Sequence, residues 1–363
     1  MKAAIFVETN GPLVVEDVTL DPAGAGEVHV KWAASGVCHS DLSLVRGKLP
    51  LPPPAILGHE GAGIVVDVGE GVSTFAVGDH VIGVFQPTCG QCFYCTNGQS
   101  YVCEKAIEIG MSRMPFTRPD GTKPFAGPGG LATFAEESVV APTALVKIPS
   151  DFDMKQAALI GCGVTTGVGA ALWAAKVSGG ETVAIIGCGG VGIAAIQGCK
   201  VGGAKTIIAV DPQASKRKWA EEFGATHSVD PNETDLLEYI QGLTEGRGVD
   251  IAFEVVGVPA LQRQAYDITR PGGKVTWVGV PDISAEVSIP AGLIVLQNKS
   301  IIGTMYGSAN VNEHMITLME FAKKGDLDLK GMITQEITVD DINDAFKSML
   351  EGDVIRSVIN YDA

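Results

Sequence analysis

Four cysteines fall within fifteen residues: Cys89, Cys92, Cys95 and Cys103, spaced C-x2-C-x2-C-x7-C. Four thiolates on one short loop make a closed tetrahedral zinc site, with no position left for a substrate. Such a site staples a fold and leaves the chemistry to other residues. Four cysteines remain: Cys38, Cys162, Cys188 and Cys199. Cys188 and Cys199 lie in a glycine-rich turn and the apolar stretch after it, and read as small buried thiols. Cys38 stands in Gly36-Val37-Cys38-His39-Ser40-Asp41, His59 and Glu60 in Gly58-His59-Glu60-Gly61, and Cys162 in Gly161-Cys162-Gly163. Two thiolates and one imidazole, far apart in sequence, suit a catalytic zinc with an open fourth position. Taken singly, each is weak, since a lone buried Cys or His is more often a core residue than a ligand.

A second chemistry is written between residues 182 and 211. Residues 182–186 read as a strand that runs into Gly187-Cys188-Gly189-Gly190-Val191-Gly192 and then an apolar helix over 193–199. This is G-x-G-x-x-G in its strand–turn–helix setting. Gly187 allows the tight turn, Gly189 lets backbone approach a pyrophosphate, and Gly192 lets helix and strand pack closely, with the helix N-terminus facing the phosphates. Asp211, after the next strand, would accept hydrogen bonds from ribose hydroxyls and repel a 2′-phosphate, so NAD is preferred to NADP. Lys216, one or two helical turns on, adds a ribose contact.

The elements that must position these groups change character along the chain. Up to about residue 150 the pattern is of short strands, over 3–7, 28–33, 63–68 and 80–83, separated by Gly and Pro. The Gly/Pro-rich polar stretch 111–130 reads as a surface loop. Beyond 150, helical patterns alternate with apolar strands at 182–186, 206–210, 249–254 and 274–279, the signature of βαβ units on a parallel sheet. Helices over 312–324 and 339–350 and a strand over 357–361 close the chain. The fold class is therefore α/β, a Gly-rich β domain joined to a doubly wound parallel sheet. With 363 residues, 46% of them hydrophobic, two domains are expected. A formal net charge of -16 argues against nucleic acid or an anionic membrane as partner. No run of about 18 apolar residues and no signal-peptide pattern is read, so neither a membrane span nor secretion is expected. Closely spaced cysteines then point to metal binding in a reducing, cytoplasmic setting.

Taken together and in order, Gly36-Val37-Cys38-His39-Ser40-Asp41, Gly58-His59-Glu60, the cysteine cluster, Leu159-Ile160-Gly161-Cys162-Gly163 and the glycine turn resemble the zinc-dependent alcohol dehydrogenases of the medium-chain dehydrogenase/reductase superfamily over nearly the whole chain. The resemblance implies a GroES-like catalytic domain over 1–163 and 304–363 around a Rossmann domain over 164–303. It implies a catalytic zinc on Cys38, His59 and Cys162, with Glu60 beneath it and Asp41 fixing the His59 tautomer. The four clustered cysteines would hold a second, structural zinc, giving two per chain. His39 and Arg356 would meet cofactor phosphates, Thr166 the nicotinamide, and Gly190, Val191 and Val280 other parts of NAD. Ser40 would take the proton of the alcohol. At residue 43, where many relatives have the histidine that ends the proton relay, this chain has Ser43, which does not titrate near pH 7.

The implied reaction is reversible NAD-linked oxidation of a small-molecule alcohol to an aldehyde. Phe85 matches an aromatic wall of the alcohol pocket, and serine in place of threonine at 40 leaves room for a bulkier primary alcohol, aromatic or terpenoid. One methylene changes such a preference by about 1–3 kcal/mol. The glutathione-dependent formaldehyde branch usually carries an arginine shortly after the last clustered cysteine; Glu104-Lys105-Ala106-Ile107 has none. The long 111–130 loop resembles that of dimeric relatives, which implies a homodimer. Two alternatives stand beside this reading: a nicotinoprotein that retains its NAD and passes electrons to an external acceptor, and a polyol or secondary-alcohol dehydrogenase of the same superfamily.

Overall fold

The strand Val28–Gly36 alternates between buried and open side chains over its first half and is buried throughout its second. This change places its far end inside the protein, where polar groups must find partners. The strand lies in a computed structural model that describes residues 1–361. The chain divides into two compact units. Unit one takes in Met1–Cys162, Asn310–Lys324 and the residues from 329 to 361; unit two takes in Gly163–Ala309 and Gly325–Asp328.

In unit one, Val28–Gly36 pairs antiparallel with Glu60–Val68 on one side and with Arg356–Asn360 on the other. Glu60–Val68 continues to His80–Gly83 and then Leu145–Ile148, while Arg356–Asn360 continues to Ile333–Ile337. A four-stranded sheet around Lys2–Phe6 packs a second core, which includes Ile5, Phe6, Ile56, Phe116 and Phe134, all at most 1% exposed. The stretch 111–130 departs from the expected surface loop. Phe116–Thr117 pairs with Thr19–Leu20, and Phe125–Ala126 pairs with Ala55–Ile56. Two aromatic side chains anchor an otherwise polar segment: Phe116 is fully buried and Phe125 packs on the same core. Arg118 adds a two-nitrogen ion pair to Glu16.

Unit two is a six-stranded sheet in the order His227–Val229, Thr206–Val210, Thr182–Ile186, Val249–Glu254, Thr269–Trp277, Ser300–Gly303, every pair parallel. Counted along the chain, this is the 3-2-1-4-5-6 order of a doubly wound dinucleotide fold. Three strands run over the expected residues. The fifth begins earlier than the expected 274 and stops at Trp277, because the N–H groups of Val278 and Gly279 turn to the Glu254 carbonyl, at 2.8 and 3.0 Å. The helix after the glycine turn runs over Gly190–Val201, longer than 193–199.

Near the end of the chain, the expected helix over 339–350 is broken. A tight turn at Val339–Asp341, capped by Thr338 and Asp341, leads into Ile342–Glu351, which ends at the left-handed Gly352. The reading that no long apolar run occurs is corrected; the reading of no membrane span is not. Met154–Ala175 is a 22-residue helix long and apolar enough to cross a membrane, and 78% of its apolar window is buried inside the protein. Its two polar residues near the start, Lys155 and Gln156, and its threonines hid the run from a count of consecutive apolar residues.

Candidate active site and metal centres

Three neighbouring strands and one helical turn bring distant groups together in unit one. The strand Val28–Gly36 ends, Val37 follows, and Cys38 caps the short helix His39–Val45. Gly36 sits across from Glu60 on one side and from Val358 on the other. Cys162 lies in the widened helical turn Ile160–Val164, a type of irregularity frequent at functional sites. Gly161 lets that turn approach the strands: a Cβ there would lie 3.4 Å from Glu60 Cα and 3.2 Å from the Gly83 carbonyl oxygen. The result is that the ligand atoms of Cys38, His59, Glu60 and Cys162 all lie within 4.8 Å of one another. All four residues are buried.

Asp41, fully buried in the first turn of His39–Val45, organises the imidazole. Its Oδ1 accepts the Gly58 N–H at 3.0 Å and lies 3.0 Å from His59 Nδ1. With Nδ1 committed to Asp41, Nε2 is left to ligate. Burial disfavours the His59 imidazolium, but the charge of Asp41 and the hydrogen bond to it outweigh burial and hold its pKa well above the usual range. The two thiols divide: a hydrogen bond from Cys162 holds Cys38 well below the ordinary thiol value against burial, with His59 helping, whereas Cys162 is pushed well up by that same bond and by burial. Two cysteine sulfurs and an imidazole gathered at one buried point are a donor set that fits a catalytic zinc.

Beneath the thiols, Arg356 pairs with the Glu60 carboxylate and donates from Nη2 to the Val37 carbonyl at 3.1 Å. Burial drives the Glu60 carboxyl up to about 7, against the pull of Arg356. Gly36 makes this pair possible, since a Cβ at that position would fall inside van der Waals contact of the Glu60 carboxylate. The expectation for Arg356 was a phosphate contact; here its guanidinium is engaged with Glu60 and Val37. The pair joins residues 296 apart, and no local pattern announces it. Phe85 stands edge-on to His59, ring centroids 5.5 Å apart. His39 and Ser40 are exposed on the first turn of their helix.

The clustered cysteines form a separate centre in the same unit. Their four Sγ atoms lie within 4.8 Å of one another, and Cys92 Sγ is 4.0 Å from Cys103 Sγ. A tetrahedron with Zn–S bonds of about 2.3 Å has edges of roughly 3.8 Å, so the loop fits the ion. Cys92 N–H donates to Cys89 Sγ and Cys89 N–H to Cys103 Sγ, both at 3.3 Å. The Cys92 thiol is drawn down to about 6, chiefly by a backbone hydrogen bond from Cys95, and burial pushes Cys95 up to about 12.

Unit two carries most of the residues expected to meet a nucleotide. Gly187 has φ +99°, and a Cβ on it would meet Val256 at 2.5 Å; a Cβ on Gly192 would collide with the Gly187 carbonyl; a Cβ on Gly189 would meet nothing within 4 Å. Gly187 and Gly192 are thus required by the turn itself, whereas the space beside Gly189 is open to an approaching ligand. Gly190 and Val191 begin the helix behind the turn. Asp211 Oδ2 accepts the Cys188 N–H at 2.9 Å, which ties the acid to the turn. Lys216 is half-buried on the helix Ala214–Glu222, Thr166 half-buried on Thr165–Gly169, and Val280 is 68% exposed after the fifth strand.

Residues 24–150 match the family described as Alcohol dehydrogenase GroES-like domain, and residues 190–324 the one described as Zinc-binding dehydrogenase. The chain is 36% identical to the S-(hydroxymethyl)glutathione dehydrogenase of Synechocystis sp., with 99% of each chain covered. It is 35% identical to the NDMA-dependent alcohol dehydrogenase of Amycolatopsis methanolica, covering 100% of this chain and 99% of that one. Its structure superposes on the crystal structure of benzyl alcohol dehydrogenase from Acinetobacter calcoaceticus with a TM-score of 0.92 and 28% identity, covering 99% and 98% of the two chains.

Proposed function

We propose, for a chain that belongs to the zinc-dependent alcohol dehydrogenases of the medium-chain dehydrogenase/reductase superfamily and so uses zinc and NAD to oxidise alcohols, that its substrates are bulky primary alcohols, aromatic or terpenoid, converted reversibly to aldehydes. The observation that carries the substrate class is Phe85, whose ring stands edge-on against the ligand His59. An aromatic surface beside a metal ligand favours a flat apolar substrate over a small or polyhydric one. The likeness to a benzyl alcohol dehydrogenase supports the same choice.

In this reading Cys38, His59 and Cys162 hold the catalytic zinc, and Arg356 keeps Glu60 in reserve beside it. When bound there, zinc would supply Lewis acidity toward an alcohol oxygen and NAD would supply a hydride acceptor. The chain's own part is to gather the ligands at one buried point, to orient His59 through Asp41, and to receive the alcohol proton at Ser40 Oγ. Gly187, Gly189, Gly190, Val191, Gly192, Asp211, Lys216, Thr166 and Val280 contact NAD, with His39 serving its phosphates. Because Ser43 cannot carry the proton onward, water does. The enzyme works as a cytoplasmic homodimer, in keeping with eight free cysteines and no disulfide.

A panel of alcohols with NAD tests the substrate class. Benzylic and terpenoid alcohols are expected to exceed ethanol at least about tenfold in kcat/KM; a preference for ethanol, polyols or secondary alcohols contradicts it. S-(hydroxymethyl)glutathione belongs in the panel because a relative is named for it. Poor turnover is expected, since at 104–107 the chain offers only Lys105, exposed and paired with Glu108 at 3.5 Å, where that branch has an arginine. The NDMA-dependent relative favours a second reading, in which NAD stays bound between turnovers. Purified enzyme that carries nucleotide and turns over only with an added acceptor would establish it.

A further inference from the structure

Both oxygens of the Asp211 carboxylate are held by backbone: Oδ2 by the Cys188 N–H and Oδ1 by the Gln213 N–H, each at 2.9 Å. A phosphate on the adenosine 2′-hydroxyl meets this fixed acid as a like charge. Dinucleotide sites that accept such a phosphate commonly do so with an arginine nearby. This chain has an arginine there. Arg217 lies on the helix Ala214–Glu222, six residues after Asp211. Its Nη1 donates to the carbonyls of Asp211 at 2.8 Å and Pro212 at 2.9 Å, and to Asp230 Oδ2 at 2.9 Å. Two hydrogens on Nη1 face three acceptors, so that nitrogen is fully used. The ion pair is largely sheltered, with side chains 19% and 13% exposed, and is weakly screened. Asp230 follows the strand His227–Val229 and is itself fixed by the Asn232 N–H to its Oδ1, at 2.9 Å.

We propose that Asp230 is a specificity-determining residue of the nucleotide site: it neutralises Arg217, so that the pair offers no net charge to a 2′-phosphate. NAD is then chosen over NADP by two acids, Asp211 by repulsion and Asp230 by neutralisation. The formal charges of Asp211, Asp230, Lys216 and Arg217 cancel. Neutralising Asp230 leaves one net positive charge beside the ribose; the Asp211 and Pro212 carbonyls still hold Nη1, so the charge-assisted contact with phosphate comes through the Nε and Nη2 hydrogens of Arg217. The inference rests on the NAD reading, and its test keeps the two apart.

The test is calorimetric titration of the intact enzyme with 2′,5′-ADP and with 5′-AMP, which differ by the 2′-phosphate alone, alongside kcat/KM for NAD and NADP. Asp230→Asn preserves shape and the acceptor for Asn232. It is expected to tighten 2′,5′-ADP on the order of tenfold while leaving 5′-AMP within about twofold. NADP kcat/KM should rise in parallel. The gain should vanish in Asp230→Asn/Arg217→Ala. Arg217→Ala alone should weaken 2′,5′-ADP relative to 5′-AMP, because it leaves Asp230 as an unpaired negative charge; this arm stands even if Asp230→Asn does not fold. An unchanged 2′,5′-ADP affinity in Asp230→Asn, a gain that survives without Arg217, or an unchanged 2′,5′-ADP affinity in Arg217→Ala alone overturns the proposal. A wild-type enzyme that binds neither 5′-AMP nor NAD would remove the NAD reading, and the selector with it.

Discussion

The two metal centres of this chain are built on opposite plans. The cysteine lobe takes all its ligands from residues 89–103, and its apolar support is little more than the cysteines themselves and Ala106. Around it, Phe93 and Ile107 are 68% and 77% exposed. The sparse centre takes its ligands from residues 38, 59, 60 and 162 and seats them in a buried frame of strands. Metal is therefore the core of the lobe, whereas the sparse centre is positioned by a fold that stands without it. A closed site can be local because it only has to hold itself together. A reactive site needs partners from several elements, each oriented by something else, as Asp41 orients His59 and Arg356 holds Glu60.

That contrast can be broken at either end. The largest effect is expected for Cys162→Ala: loss of Lewis acidity is worth several kcal/mol, so kcat should fall by at least about 10³-fold, while the thermal midpoint stays within a few degrees. A variant that unfolds instead would show the frame to depend on its metal. Next comes Arg356→Met, which strands a buried Glu60 carboxylate; unfolding by denaturant should register a loss of about 3–5 kcal/mol. Gly36→Ala should lose part of the same stability by forcing Glu60 and Arg356 apart.

The lobe should respond differently. Cys95→Ala is expected to open residues 89–111 to limited proteolysis, with kcat of the uncut chain within about threefold of wild type. The smallest effect is a pH slope in zinc-free protein. Glu60 has its pKa raised from 4.5 to about 7 in the folded chain. Between those values the folded state holds a proton that the unfolded state has released, so stability should fall as pH rises through that window, by up to about 1.4 kcal/mol per unit. Glu60→Gln should flatten that slope, and Cys95→Ala should leave it unchanged.

The same contrast explains what could be read before the structure. The lobe was legible from spacing because its ligands are neighbours in sequence. The strands at 182–186, 206–210 and 249–254 were legible as apolar runs, because strands covered on both faces leave no room for polar residues. Cys38, His59 and Cys162 carried no such signal singly and needed the motifs around them. The Gly36–Glu60–Arg356 contact and the Arg217–Asp230 pair were invisible, since a side-chain pairing between separate elements leaves no periodicity. The aromatic anchors Phe116 and Phe125 were overlooked within a polar, Gly/Pro-rich stretch, where composition outvoted two aromatic residues that pack on the core.

The most direct test of two centres with divided labour is zinc content and NAD-linked turnover measured side by side on wild type, Cys162→Ala and Cys95→Ala. Two zinc ions per wild-type chain are expected, and about one in each variant, with turnover abolished in Cys162→Ala and retained in Cys95→Ala. Retained turnover in Cys162→Ala, or its loss in a folded Cys95→Ala, would contradict the account.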